Sequence, residues 1–460
     1  MTQAGADGAG LTETLVRESL ALSWPDVPPD VRRVARDCLA DWLGCTLAGL
    51  GEPAAVAVAA AADEEGGHAR ASFVGRASRG SVLQAAVVNG TASHALDYDD
   101  VNLSVPGHLS VAILPAVLAL AEQRGERGTA ALAAFTAGYE FACRVGRLVE
   151  PAHYANGFHA TATIGSLGAA VACARLLALD ASTACHAVGL AATQAAGMKA
   201  MFGTMTKPLH AGLAAQAGVR AALLAARGFT SRTDAIECRQ GFAALHGRDF
   251  RVDEALAPPA DGFHILANLF KFHAACYSTH ATIEALATLR RTEDLRPDDV
   301  ESIRVTAGEG CTICNISTPS TALEAKFSLR AVAAFALLGI DTSGLRTWDR
   351  VTDPEVMAVR DKVTVELVPG MGLSDAEVLV QLRDGTRLSR HHDCGVPLAD
   401  KREQSARVFG KFRALAFPVI GTARGEAVLA MLDLLEPAGR PDDGWDTAAL
   451  VGLCTPAPAD

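Results

Sequence analysis

Ser93-His94-Ala95-Leu96-Asp97-Tyr98-Asp99-Asp100, followed by Pro106-Gly107-His108, sets three carboxylates and two imidazoles in an otherwise apolar stretch. Burying such groups unpaired is costly, so they must pair with one another or face a solvated cleft. A capped helix end with a solvated acidic loop would account for the same residues. A second cluster, Asn156 to Thr163, turns at Gly157 and sets His159 directly before an Ala/Gly-rich helical run. At a helix N-terminus the backbone dipole lowers an imidazole pKa and attracts an anion. The third cluster, Gly197 to His210, carries Lys199 and Lys207 among small apolar residues and leads into a helix with Pro208 in its first turn. A lysine in such a place either snorkels to solvent or offers a fixed charge to a substrate carboxylate. The fourth runs Lys271-Phe272-His273-Ala274-Ala275-Cys276-Tyr277-Ser278-Thr279-His280. It falls where the hydrophobic pattern changes, and ligand clefts favour such junctions, although a polar start to the next helix would look the same. Imidazoles titrate near neutrality, so the chemistry they suit is proton transfer.

The elements that must position these groups differ along the chain. From Leu11 to about Arg227 apolar residues recur at three- and four-residue spacing, as in Val31-Val34-Cys38-Leu39-Leu43, which predicts a helical array. Its many Ala and Gly residues allow close approach of helix axes. After about Ala267, Val300 to Ala307 and Lys362 to Val368 alternate in the manner of strands, and Ala376 to Arg390 reads as a hairpin turning at Asp384-Gly385. Helical runs at Thr279 to Thr292 and Ser320 to Gly339 lie between them, and helical periodicity returns from Pro397 through Leu435. The expected fold is mainly α: an all-helical domain from residues 1–266 with 398–460, and a smaller α+β cap domain, 267–397, with an antiparallel sheet. The site is expected between them.

Composition narrows the function classes. Lys and Arg number 41 against 52 Asp and Glu, giving −11, and no basic block interrupts that balance. Nucleic acid and anionic membrane are therefore not expected as partners, and an anionic substrate would need a locally basic pocket. Met1 to Gly10 lacks the basic start and apolar middle of a secretory signal and reads as a frayed tail. The most apolar stretches, such as Ala54 to Ala62 and Gly165 to Ala174, fall short of the ~18 consecutive apolar residues of a membrane span. Eleven scattered cysteines, several inside apolar helical patterns, look like reduced core thiols and point to the cytoplasm. No Gly-rich phosphate loop follows a strand. Cys311-Thr312-Ile313-Cys314, with His391-His392-Asp393-Cys394 in the same expected domain, raises a zinc site as the rival mechanism. An iron–sulfur site lacks a third well-spaced cysteine.

Taken in order, His-Ala-Leu-Asp-Tyr-Asp-Asp, Gly-Phe-His-Ala-Thr-Ala-Thr, Thr-Lys-Pro-Leu-His-Ala-Gly and Lys-x-His-x-x-Cys-x-x-Thr-His strongly resemble the MmgE/PrpD family, over about Leu11 to Leu435. The resemblance implies a homodimeric lyase without metal or organic cofactor, acting on a small anionic carboxylate. It implies catalytic roles for Asp97, His108, His159 and Lys207, and substrate-binding roles for His94, Lys271 and His273. In the expected mechanism Lys207 and Lys271 hold carboxylates, His108 or His159 moves the proton, and Asp97 orients an imidazole. Dehydration of a 2-methylcitrate-like hydroxy acid is the expected reaction. The alternatives are decarboxylation of the cis-aconitate type, epimerisation of the iminodisuccinate type, and a catalytically inactive binding protein on the same fold. Three positions depart from the family pattern: Val101 replaces a Thr, Ala331 replaces a Tyr, and His273 stands where dehydratases carry Tyr.

Overall fold

The computed structural model describes residues 10–434 and 445–456, so the tail expected before Gly10 lies outside the described residues. The chain divides into two compact units, residues 1–270 with 398–460 and residues 271–397.

Apart from a short antiparallel pair, Ala71–Ser72 with Arg79–Gly80, which the all-helical expectation did not include, the first unit is built from helices, among them α1 (Pro29–Ala48), α2 (Val82–His94), α3 (Leu109–Arg124), α4 (Gly128–Val149), α5 (Ala160–Leu176) and α6 (Thr206–Ala225). Proline sits at the first position of α1, where its missing N–H costs nothing. Ser81 caps α2 through a reciprocal box with Gln84, at 3.2 and 2.9 Å. Helix α5 is buried along almost its whole surface, so its sequence shows no polar stripe. Glycine makes this layering possible. A Cβ on Gly90 of α2 would lie 2.7 Å from the Cα of Gly212 of α6, and one on Gly138 of α4 would lie 2.4 Å from the carbonyl oxygen of Gly168 of α5. Backbones at such distances leave no room for side chains, which explains the Ala/Gly composition.

The second unit carries α7 (His280–Thr292) and α8 (Leu329–Leu338) against a four-stranded sheet of β1 (Val300–Gly308), β2 (Val363–Val368), β3 (Asp375–Leu382) and β4 (Arg387–Asp393). Strand order is β2-β1-β3-β4. The β3–β4 hairpin turns through Gly385 at φ +92°, as its Asp-Gly sequence predicts. The sheet is mixed, however, and not antiparallel throughout. Strands β1 and β2 pair in parallel, Ile303 opposite Val363 and Val305 opposite Val365. The helical crossover between them returns the chain to the starting end of the sheet, which parallel pairing requires. The single helical run expected from Ser320 to Gly339 is two helices, broken at Phe327 and Ser328. There the Ser328 hydroxyl accepts from the Ala331 N–H at 3.2 Å and starts α8 afresh.

After the second unit the chain rejoins the first in α9 (Lys401–Ile420), which packs along α1. All eleven cysteines are free. Among the described residues no single helix is long and apolar enough to cross a membrane.

Candidate active site

Three helix starts and one helix end bring the first unit's chemistry together. His94 is the last residue of α2, His108 immediately precedes α3, His159 immediately precedes α5, and Lys207 is the second residue of α6. The loop before α3 is tied to α5 by the His108 N–H, which donates to Thr161 Oγ1 at 2.9 Å. Aligned N–H groups at the starts of α3, α5 and α6 add partial positive charge to that of Lys207.

Asp99 is the hub. Its carboxylate is fully enclosed, with Oδ2 2.8 Å from His108 Nδ1 and Oδ1 3.0 Å from His94 Nδ1. Burial alone would raise its pKa, but the two imidazoles outweigh that and hold it well below the usual carboxylate range. His94 is sealed from solvent. Burial depresses its pKa to about 4, against the opposing pull of Asp99, and its Nε2 has no protein partner. It therefore braces Asp99 as a neutral ring, with its centroid 4.7 Å from that of His108 and 5.9 Å from that of His159.

Asp97 takes a different position from the one expected. It adopts φ +50°, a left-handed conformation that aspartate tolerates better than most residues. Its Oδ1 lies 2.8 Å from Lys207 Nζ and 3.7 Å from His108 Nε2. The contact that orients an imidazole belongs to Asp99, and Asp97 is the partner of Lys207. His159 Nδ1 faces His210 Nδ1 at 3.0 Å, and Phe202 meets the His159 ring edge-on. Burial, then His94, Lys207, His108 and His210, push the His159 pKa far below the ordinary imidazole value.

Behind this surface lies a buried polar layer. Asp100 Oδ2 accepts from Ser110 Oγ at 2.6 Å and from Asn268 Nδ2 at 2.7 Å, while its N–H donates to Asp41 Oδ2 at 3.1 Å. Lys411 of α9 donates to Asp41 Oδ1 at 2.6 Å and to the Tyr98 carbonyl at 2.5 Å. Burial and the neighbouring Asp41 raise Asp100 to about 7. This layer fixes the backbone of Tyr98 and Asp100, on either side of Asp99.

The structure thus brings His94, Asp97, His108, His159 and Lys207 together, and adds Asp99 and His210 to the set. Lys271 and His273 belong to the second unit. Both ring nitrogens of His273 are engaged there, Nδ1 with Thr342 Oγ1 at 2.6 Å and Nε2 with Glu284 Oε1 at 3.2 Å. Of the departing positions, Val101 exchanges backbone hydrogen bonds of 2.8 Å with Leu269, and Ala331 is buried in the first turn of α8.

Among the described residues, His94, Asp97, Asp99 and His108 form the one group whose ligand atoms come within 4.8 Å of one another in a way that suits a metal ion. Both histidine Nδ1 atoms face Asp99 and Asp97 faces the Lys207 ammonium, so ion pairs within the protein already engage these ligand atoms. The rival set does not converge. His391 and His392 are neighbours on β4 and project to opposite faces of the sheet, and His391 pairs with Asp375 at 3.4 Å. Cys311 faces the Leu373 carbonyl.

Residues 14–255 match the model of the MmgE/PrpD N-terminal domain, and residues 273–436 match that of the MmgE/PrpD C-terminal domain. The chain is 26% identical over 461 residues to a cis-aconitate decarboxylase of Aspergillus terreus, covering 92% of this chain and 93% of that protein. It is 29% identical over 374 residues to a cis-aconitate decarboxylase of Homo sapiens, covering 76% of each. To a cis-aconitate decarboxylase-like protein, oryM, of Aspergillus oryzae it is 31% identical over 297 residues, 61% of this chain and 62% of that protein.

Proposed function

The chain belongs to the MmgE/PrpD family, and on that premise we propose that it is a cofactor-independent lyase that decarboxylates an unsaturated tricarboxylate of the cis-aconitate type. One observation carries the reading: a buried carboxylate, Asp99, holds the His108 ring beside the Lys207–Asp97 pair, where three helix N-termini converge. Fixed positive charge suits the substrate's carboxylates, and a ring oriented through Nδ1 has Nε2 available for proton transfer.

The proton and electron balance is simple. When the carbon–carboxylate bond breaks, its electron pair forms a new double bond to the neighbouring carbon. The old double bond's pair then takes a proton at the far carbon, from an imidazole of the site. One solvent proton is consumed for each carbon dioxide released. Lys207 stabilises the enediolate-like charge that develops at a carboxylate.

Dehydration of a 2-methylcitrate-like acid ranks second and epimerisation third, because the relatives just described are named as decarboxylases. The convergence of Asp97, His108 and Lys207 within 3.7 Å supports catalysis over an inactive binding protein. We further propose a homodimer, which light scattering on the purified chain would read. Turnover should be measured with cis-aconitate, 2-methylcitrate, citrate and iminodisuccinate, each with and without a chelator. Preference for cis-aconitate that survives chelation is the expected result, and activity abolished by chelation would overturn the cofactor-independent reading.

A further inference from the structure

We propose that His159 and His210 act as one proton carrier, in which His159 meets the substrate and His210 is a positioning residue that holds the positive charge. This rests on reading the site as one of proton transfer. The two Nδ1 atoms stand 3.0 Å apart, and two facing ring nitrogens at that distance need one proton between them. That hydrogen bond is the only one the His210 ring makes among the described residues. Among the described residues Nε2 of neither ring has a hydrogen-bond partner, and both residues are buried. The pair therefore links two unpartnered nitrogens through a single shared proton.

The surroundings of the two rings differ. His159 is buried and lies near the Lys207 ammonium at the start of α6, which repels a second positive charge. Burial alone lowers His210. A proton arriving at His159 is therefore better held one ring further away. In the neutral pair His159 carries its proton on Nδ1 and donates it to His210 Nδ1, leaving Nε2 of His159 as a base. When Nε2 gains a proton, the Nδ1–H bond of His159 breaks and a bond to His210 Nδ1 forms. His159 stays neutral and His210 becomes imidazolium. Donation to substrate carbon runs the same steps backwards, and solvent recharges the pair through His159 Nε2. The balance is one proton in and one out.

His210→Gln tests the charge-holding role, because the amide oxygen can still accept from His159 Nδ1 but cannot take the proton. The expected result is a kcat lower by about ten- to a hundredfold with KM nearly unchanged. An unchanged kcat would overturn the proposal. Independently of any substrate, ¹⁵N spectra of histidine-labelled chain should show His159 switching tautomer while His210 becomes imidazolium on acidification. Formation of imidazolium at His159, or titration of His210 without a response at His159, would also overturn it. Failure to turn over any tricarboxylate would instead remove the proposed function while leaving the spectra to decide the pair.

Discussion

Asp99 Oδ2 lies 2.8 Å from His108 Nδ1 in a place that solvent does not reach, and the same carboxylate meets His94 Nδ1 at 3.0 Å. One enclosed charge therefore fixes the tautomer and orientation of two rings. Asp99→Asn keeps the shape but offers a neutral amide that cannot accept from both nitrogens. We expect kcat to fall by about two to four powers of ten with the helical circular-dichroism spectrum retained. Retained turnover would show that Asp99 is only a packing residue.

Lys207 and Asp97 form the exposed side of the site, with the Asp97 side chain 54% exposed. A partly solvated pair contributes little to stability, so Lys207→Gln should change unfolding free energy by less than about 1 kcal/mol. Losing a charge-assisted contact to a substrate carboxylate, about 1.5–3 kcal/mol, should raise KM tenfold or more. Thermal melts and steady-state kinetics on one preparation separate the two effects.

The buried pair Lys411–Asp41 behaves in the opposite way. Lys411→Met leaves Asp41 enclosed without its cation, which should destabilise the fold by about 3–5 kcal/mol in denaturant unfolding. Lys411→Met with Asp41→Leu should recover much of that loss.

Two sets of buried groups pull the pH dependence of stability in opposite directions. Burial lowers His94, His153 and His264 to about 4 from 6.5, and lowers His159, His210, His246 and His280 as well. Between pH 4 and 6.5 the unfolded chain binds protons that these folded rings refuse, so their contribution is present above 6.5 and lost as pH falls. Burial raises Asp100 and Glu140 to about 7 and Asp37 to about 6, and also raises Asp41 and Glu150. These carboxyls bind protons in the folded state that the unfolded chain has released, so their contribution is present below their ordinary pKa and lost as pH rises through 6 to 7. Between pH 4 and 6.5 the two sets therefore oppose one another. Folded-state NMR in which His94, His153 and His264 titrate near 6.5 instead of about 4 would contradict this.

Much of the site could be read in the sequence because its residues sit at breaks in helical periodicity. His108, His159 and Lys207 each precede or begin an apolar helix, and that pattern is local. What escaped depends on contacts that no local pattern encodes. His210 lies 51 residues from His159, and Lys411 lies 370 from Asp41. Within the acidic run, spacing alone could not say which carboxylate faces the rings. The left-handed turn at Asp97 decides it, sending that residue to Lys207 and leaving Asp99 between the histidines. Strand β2 was legible as a strand, but alternation carries no direction, so its parallel pairing with β1 was not.

The most direct test of the account is the reaction of the purified chain with cis-aconitate in D₂O, followed by carbon and proton NMR. The account predicts one carbon dioxide released per substrate consumed and one deuterium on the carbon that was the far end of the old double bond. Addition of water without loss of carbon dioxide, or release of carbon dioxide with deuterium at another carbon, would contradict it.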